Sequence, residues 1–284
     1  MATLISVGQV VDQSVHHYRQ NFKKLMNISL YLFAGAPFFI AATILYSNTS
    51  LSRLFLSAIC TLIGMIISAG ASIWTFNALI LTVNSQTQNK KAKTDNLNRL
   101  AWKKFLPSLG VSIIIALILI GLAILCLLPG TIIFLVSTAL HSNSMIIFLA
   151  GILFVLFGGL VATCLVAWLG ITTIFAPYAL ILENLGVIKS LKRAHQLVLH
   201  RWWLVLIRII IPNLVIGIIL FLAPKITHFI LSLLVVGSPS LLMPLFIVND
   251  LINIGLTTLT IPFLVIADYY VFQSLVDTCQ ASTT

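Results

Sequence analysis

The chain has 284 residues, 60% of them hydrophobic and only 8% charged, with a mean hydropathy of +1.12. A soluble domain carries about 25% charged residues, and a folded surface this poor in polar groups would not stay dispersed in water. A soluble protein is excluded and an integral membrane protein expected. The 16 Lys and Arg, set against 6 Asp and Glu, would suit nucleic acid only as a basic patch on a soluble face; here they fall in short windows between apolar runs, the pattern of topology signals and anionic headgroup contacts.

In chain order, residues 1–24 come first and are polar. On a helix, Val7, Val11, Val15, Tyr18 and Phe22 fall near one face, with Asp12, Gln13, His16, Arg19 and Gln20 mostly elsewhere. This predicts an interfacial amphipathic helix. The first apolar run is long enough to remain as an uncleaved anchor. A crossing helix needs about 20 apolar residues, and six runs qualify: Leu25–Tyr46, Leu54–Val83, Phe105–Leu128, Met145–Leu182, Trp203–Leu222 and Leu251–Leu275. In the fourth, Gly158, Gly159 and Pro177 are expected kink sites.

The cations sort by side. Arg19, Lys23 and Lys24 precede the first span; Lys90, Lys91, Lys93, Arg99, Lys103 and Lys104 lie between the second and third; Lys189, Lys192, Arg193, Arg201 and Arg208 lie between the fourth and fifth, or just inside the fifth. With both termini cytoplasmic, these 14 share the cytoplasmic side and only Arg53 and Lys225 face out, a positive-inside arrangement. Trp102, Trp202 and Trp203 sit where basic segments meet spans, at headgroup level. Val187, Leu191, Ala194, Val198 and Trp202 repeat the helical spacing of the N-terminal segment, so 183–202 is read as a second basic amphipathic helix, and "TDNLNRLAWKKFLPSLG" as a shorter third.

The expected fold is therefore all-α: a polytopic transmembrane helical bundle of about six spans with cytoplasmic-side amphipathic helices, forming one membrane domain over 1–284. Its parts are an N-terminal helix (1–24), a first hairpin (25–83), a basic loop (84–104), a second hairpin (105–182), a basic segment (183–202), a third hairpin (203–275) and a tail (276–284). Residues 1–83, 95–182 and 186–275 suggest three parallel repeats in pattern, not in identity. Pro129-Gly130 is expected to stop the third span, leaving 131–140 as a separate apolar piece, and 226–248 is a second broken outer segment; such pieces are re-entrant, or cap the bundle.

Reaction chemistry needs clustered ligands or an activated nucleophile. The six acids, Asp12, Asp95, Glu183, Asp250, Asp268 and Asp277, are scattered. His195 and His200 fall about 140° apart on a helix and share no face, and adjacent His16 and His17 suit an interfacial polar face. Cys60, Cys126, Cys164 and Cys279 have no metal or redox spacing and read as packing residues. No catalytic, cofactor or metal site is expected. Asp268 is the one acid near a span interior, close enough to the cytoplasmic side to reach water or Arg208; Glu183 is placed to pair with Lys189 or Arg193. Gly64, Ser68 and Ser72, and Gly158 with Ala162, are small stripes that let helices approach.

"LCLLPGTIIFLV" with "IFAPYALILENLGVIKSLKRAHQLVLHRWWLVL", together with the opening "SVGQVVDQSVHHYRQNFKKLM" and the late "IADYYVFQSL", resembles a group of bacterial inner-membrane proteins of unknown function. That group is related to the membrane domain attached to some glycerophosphodiester phosphodiesterases. The resemblance implies fold and location only, because the catalytic phosphodiesterase domain has no counterpart here. The stretch from Pro129 to Glu183 is longer than the group's pattern. The expected role is structural, regulatory or lipid-organising and not enzymatic. The partners would be anionic lipid headgroups at Arg19, Lys23, Lys24, Lys189, Lys192, Arg193, Arg201, Trp202 and Trp203, and an unidentified membrane protein. The alternative is a transporter or permease subunit with a polar site near Asp268, the broken outer segments and the serines of the second span.

Overall fold

A computed structural model describes residues 4–46, 50–88, 94–139, 145–199, 201–235 and 242–280. These residues form ten α-helices: α1 Val7–Ser29, α2 Ala36–Tyr46, α3 Leu51–Thr87, α4 Thr94–Lys103, α5 Phe105–Ala139, α6 Met145–Thr173, α7 Ala176–Leu182, α8 Val187–Val198, α9 Trp202–Val235 and α10 Leu242–Gln280, with a 3₁₀ segment at Leu30–Gly35. No strand occurs among the described residues. Six stretches are long and apolar enough to cross a membrane: Val7–Tyr46, Leu51–Thr87, Phe105–Val136, Leu149–Leu182, Trp202–Thr227 and Ile247–Gln280. The chain is an all-α polytopic membrane protein. Its contacts gather into two units, residues 1–106 with 203–284, and residues 107–202.

In the first unit, α1 starts at a capping box: Ser6 Oγ accepts from the Gln9 amide at 3.3 Å, and the Ser6 amide donates to Gln9 Oε1 at 3.1 Å. Such a cap stabilises a helix by about 1 kcal/mol. No breaker follows Lys24, so α1 runs past Leu25 to Ser29. The tighter winding of Leu30–Gly35 then leads into α2. Gly35 is required here, since a Cβ would collide with Ser68 Oγ and come within 3.0 Å of the Gly64 carbonyl on α3. The small stripe of the second span is thus the seat of the α2–α3 hairpin.

At 37 residues, α3 is about 55 Å long, well beyond a hydrocarbon layer of about 30 Å. Its two halves differ. Residues 51–73 are mostly exposed apolar side chains, whereas Trp74 to Val83 is almost wholly buried. The same split divides α10, whose segment from Val265 to Leu275 is buried against α1 and α3 while its first turns are open. The unit is closely packed at one end and loosely at the other. On the packed flank, Trp74 lies 4.6 Å from the Tyr31 ring and 6.1 Å from Trp102 of α4, and Trp102 lies 5.6 Å from Phe105. The cations Lys90, Lys91 and Lys93 lie outside the described residues.

Two expected breaks are corrected. The helix does not stop at Pro129-Gly130, because α5 runs through to Ala139. In hydrocarbon, backbone groups released by a helix end would each go unpaired at several kcal/mol, so continuing with one lost bond is the cheaper solution. Gly130 instead marks a helix crossing: a Cβ there would lie 2.6 Å from the Val155 amide of α6. Likewise α9 passes Pro212 and Pro224 to Val235, and α10 begins at Leu242. The segment 226–248 is therefore mostly the ends of two long helices, with 236–241 outside the described residues.

The second unit holds α5 to α8. Gly158 faces the Cys126 carbonyl, and at Gly151 a Cβ would meet the Phe134 backbone at 3.1 Å. The fourth span bends after Thr173, where α7 begins with Pro177 in its first turn, a position that tolerates the missing N–H. Asn184 takes a left-handed φ of 54°, a region open to Asn, and turns the chain into α8, which packs on α6 and α7 through Ser190, Ala194, Leu197 and Val198.

Candidate functional site

At about 100° per residue, α1 divides into three stripes. Val10, Ser14, His17, Leu25 and Ile28 form the buried stripe, packed on α10 and α3. A quarter turn away lie Val7, Val11, Val15, Tyr18 and Phe22, all at least partly exposed. On the remaining side Asp12, Gln13, His16, Arg19, Gln20, Lys23 and Lys24 are exposed. The predicted apolar face exists, but it is not the one that packs on protein. Tyr18 ties its edge to α10, donating to the Leu259 carbonyl at 2.8 Å.

The buried stripe opens a polar cluster that the sequence did not reveal. His17 Nε2 lies 2.8 Å from Gln86 Oε1 of α3, and Tyr270 OH of α10 lies 3.2 Å from His17 Nδ1. The pairing is self-consistent when Tyr270 donates to Nδ1 and the Nε2–H donates to the amide oxygen, which assigns a neutral imidazole. Beside it, Tyr269 donates to Asn84 Oδ1 at 2.9 Å. The Ser14 hydroxyl and Gln86 Nε2 are buried without partners. His16 and His17 were both expected on an interfacial polar face; only His16 is there, exposed and 2.8 Å from Gln20. Adjacent helical residues point about 100° apart, so one of the two had to turn inward.

Asp268 and Arg208 are not brought together. Arg208 Nε donates to the Ile5 carbonyl at 2.6 Å and Nη1 to the Leu204 carbonyl at 2.7 Å, while the Ile5 amide donates to Ser274 Oγ at 3.0 Å. Arg208 is thus a staple for the residues ahead of α1. Asp268 is buried on α10 with no hydrogen bond or ion pair to any described residue.

On α8, Lys189 and Lys192 are exposed beside the exposed Ile188 and Leu199. Arg193, expected both at the headgroup surface and as one of two candidate partners of Glu183, is engaged by Glu183, its Nε lying 3.1 and 3.3 Å from the two carboxylate oxygens. Three- and four-residue spacing carries Arg193 back over the turn that Glu183 begins. Arg201 is partly exposed; Trp202 donates weakly from Nε1 to the Trp168 carbonyl at 3.4 Å. Trp203 and Trp102 are 70% and 62% exposed, as amphipathic belt residues would be.

At the loosely packed end of the first unit, α2, α3 and α10 border an open cavity of about 620 Å³. Phe39, Ala42, Tyr46 and Ile254 supply its apolar wall; Thr43, Ser57, Thr61, Asp250 and Asn253 supply polar groups. The hydroxyl hydrogens are already donated, Thr43 to the Phe39 carbonyl, Thr61 to Ser57 and Ser57 to Ala42, which leaves their oxygens as acceptors. Asn253 also borders a neighbouring recess with Lys225 and Asn249. The set holds one carboxylate and several hydroxyl acceptors, groups able to bind a donor-rich ligand. Comparison of the chain with protein-family models, with curated proteins and with solved structures returns no match.

Proposed function

We propose that this is a multi-pass protein of a bacterial cytoplasmic membrane, with both termini in the cytoplasm and no catalysis of its own, which organises lipid by gripping anionic headgroups with basic amphipathic helices. The single observation that supports this reading is the three-way division of α1. One stripe packs on protein, one leaves Val7, Val11, Val15 and Phe22 available to acyl chains, and one presents Arg19, Lys23 and Lys24. Lys189 and Lys192 on α8, with Leu199, Arg201, Trp202 and Trp203 following it, extend the same logic. Kinship with the membrane domains of glycerophosphodiester phosphodiesterases is part of the proposal and rests on the quoted segments alone.

Each cation near an anionic leaflet contributes about 1 kcal/mol. Replacing Arg19, Lys23 and Lys24 by Gln in the full-length protein is expected to weaken phosphatidylglycerol binding on the order of a hundredfold at low salt, with a smaller loss at high salt. Unchanged binding, or binding insensitive to salt, would overturn the reading. Labelling of a cysteine placed in 84–104 by an impermeant reagent on intact cells would overturn the orientation.

A transport role is the second reading, favoured by one observation: the unpartnered, buried Asp268. Intramembrane carboxylates are often functional. Asp268→Asn is expected to preserve folding and abolish any transport activity; a variant that only fails to fold returns Asp268 to a structural role.

A further inference from the structure

We propose that the cavity between α2, α3 and α10 holds one aminophospholipid, with its primary ammonium at Asp250 and its phosphate at Lys225. The inference rests on the membrane reading above but not on the basic helices.

The cavity joins two kinds of surface. Phe39, Tyr46 and Ile254 make a wall suited to an acyl chain. The polar groups that line it are mostly acceptors: the Asp250 carboxylate of α10 and the hydroxyl oxygens of Thr43 on α2 and Thr61 on α3, whose hydrogens are donated within their own helices; Asn249, whose Oδ1 is buried without a partner, borders the adjoining recess instead. A site rich in acceptors and carrying a carboxylate asks for a donor-rich cation. A primary ammonium brings three N–H groups; a quaternary choline brings none. Beyond Asn253 the adjoining recess is bordered by Lys225. Neither Asp250 nor Lys225 is in an ion pair among the described residues. An anion and a cation on either side of one asparagine match a zwitterionic headgroup in sign.

Depth agrees. Asp250 and Tyr270 are twenty residues apart on α10, about 30 Å along a helix, which is the thickness of the hydrocarbon layer. With the His17–Gln86–Tyr270 cluster near one interface, Asp250 falls at the other, where headgroups are.

The test is native mass spectrometry of the full-length protein, delipidated in mild detergent and exposed to phosphatidylethanolamine, phosphatidylcholine or phosphatidylglycerol. One phosphatidylethanolamine is expected to be retained at least tenfold better than phosphatidylcholine. Asp250→Asn should erase that preference, and Lys225→Gln should weaken retention of the same lipid. Thr61→Trp, which fills the cavity, should abolish it while leaving thermal stability within a few degrees. Equal retention of the ethanolamine and choline lipids, a preference for phosphatidylglycerol in this cavity, or full selectivity in Asp250→Asn would each overturn the proposal. The Arg19, Lys23 and Lys24 substitutions should leave phosphatidylethanolamine retention unchanged, so loss of the basic-helix reading and loss of this one are separately visible.

Discussion

The α5–α6 pair and the packed end of α1, α3 and α10 are held by opposite means. Between α5 and α6 the crossing points are glycines: Gly130 against Val155, Gly151 against Phe134 and Gly158 against Cys126, all backbone to backbone. At the α1–α3–α10 end the crossing points are side chains, with His17, Gln86, Tyr270, Tyr269 and Asn84 bonded across three helices. Lipid tails are as apolar as leucine, so helices in a membrane gain nothing by hiding leucines from them. Two routes remain, close van der Waals approach and interhelical hydrogen bonds. The α5–α6 pair uses the first; the α1–α3–α10 end uses the second. The first route tolerates no added volume; the second tolerates volume but not the loss of a donor or acceptor.

That contrast breaks most readily at the glycines. Gly158→Leu is expected to destabilise by about 3 kcal/mol or more, the upper end of overpacking, because the group in the way is a backbone carbonyl that cannot swing aside. Thermal unfolding in detergent reads it, with Gly121→Leu as the control: nothing lies within 4 Å of a Cβ there, and the change should be neutral or stabilising by up to about 1 kcal/mol. Similar losses at both positions would show that the close approach carries no weight.

Gly64→Leu should come next, at about 2 kcal/mol. Its Cβ would lie 3.2 Å from Phe38 and Phe39 side chains, which can partly move. A loss equal to that of Gly158→Leu would erase the distinction between backbone and side-chain obstruction.

The hydrogen-bonded end should lose less. His17→Ala strands Gln86 and Tyr270 and is expected to destabilise by about 1–2 kcal/mol, with a coupling to Tyr270→Phe near 0.6 kcal/mol in a double-mutant cycle. Additive single losses would mean that the Tyr270–His17 contact contributes nothing. Arg193→Gln should show the smallest effect, under about 1 kcal/mol, since both partners of the Glu183 pair are a quarter or more exposed and water screens them. A larger loss would make that pair the organiser of the α7–α8 turn.

Some of this was legible without coordinates. Six spans follow from run length, a local property that no tertiary contact can conceal. The small stripe at Gly64 and Ser68 also follows from spacing alone, and spacing narrows the partner of Glu183 to Lys189 or Arg193, of which the structure selects Arg193. Pro129-Gly130 misled because proline followed by glycine ends helices in water, where released carbonyls find solvent; in hydrocarbon they do not, and the helix goes on. His17 misled because its neighbour His16 carries the same letter on a different face. The donors and acceptors that complete its cluster, Gln86 and Tyr270, are 69 and 253 positions away; the only local sign was the excess of polar residues in "LTVNSQTQ" at the end of a span.

By itself the amino-acid order determined that the chain is helical, that it is oily enough to cross a bilayer six times, and where its cations lie along it, because hydrophobicity and charge are properties of residues and of their immediate run. Only the tertiary structure decided which stripe of each basic helix meets protein, that Arg208 holds the N-terminal backbone and not Asp268, and that Thr43, Thr61 and Asp250 line one cavity. Those are facts about surfaces meeting, and they depend on how helices far apart in the chain lie against each other.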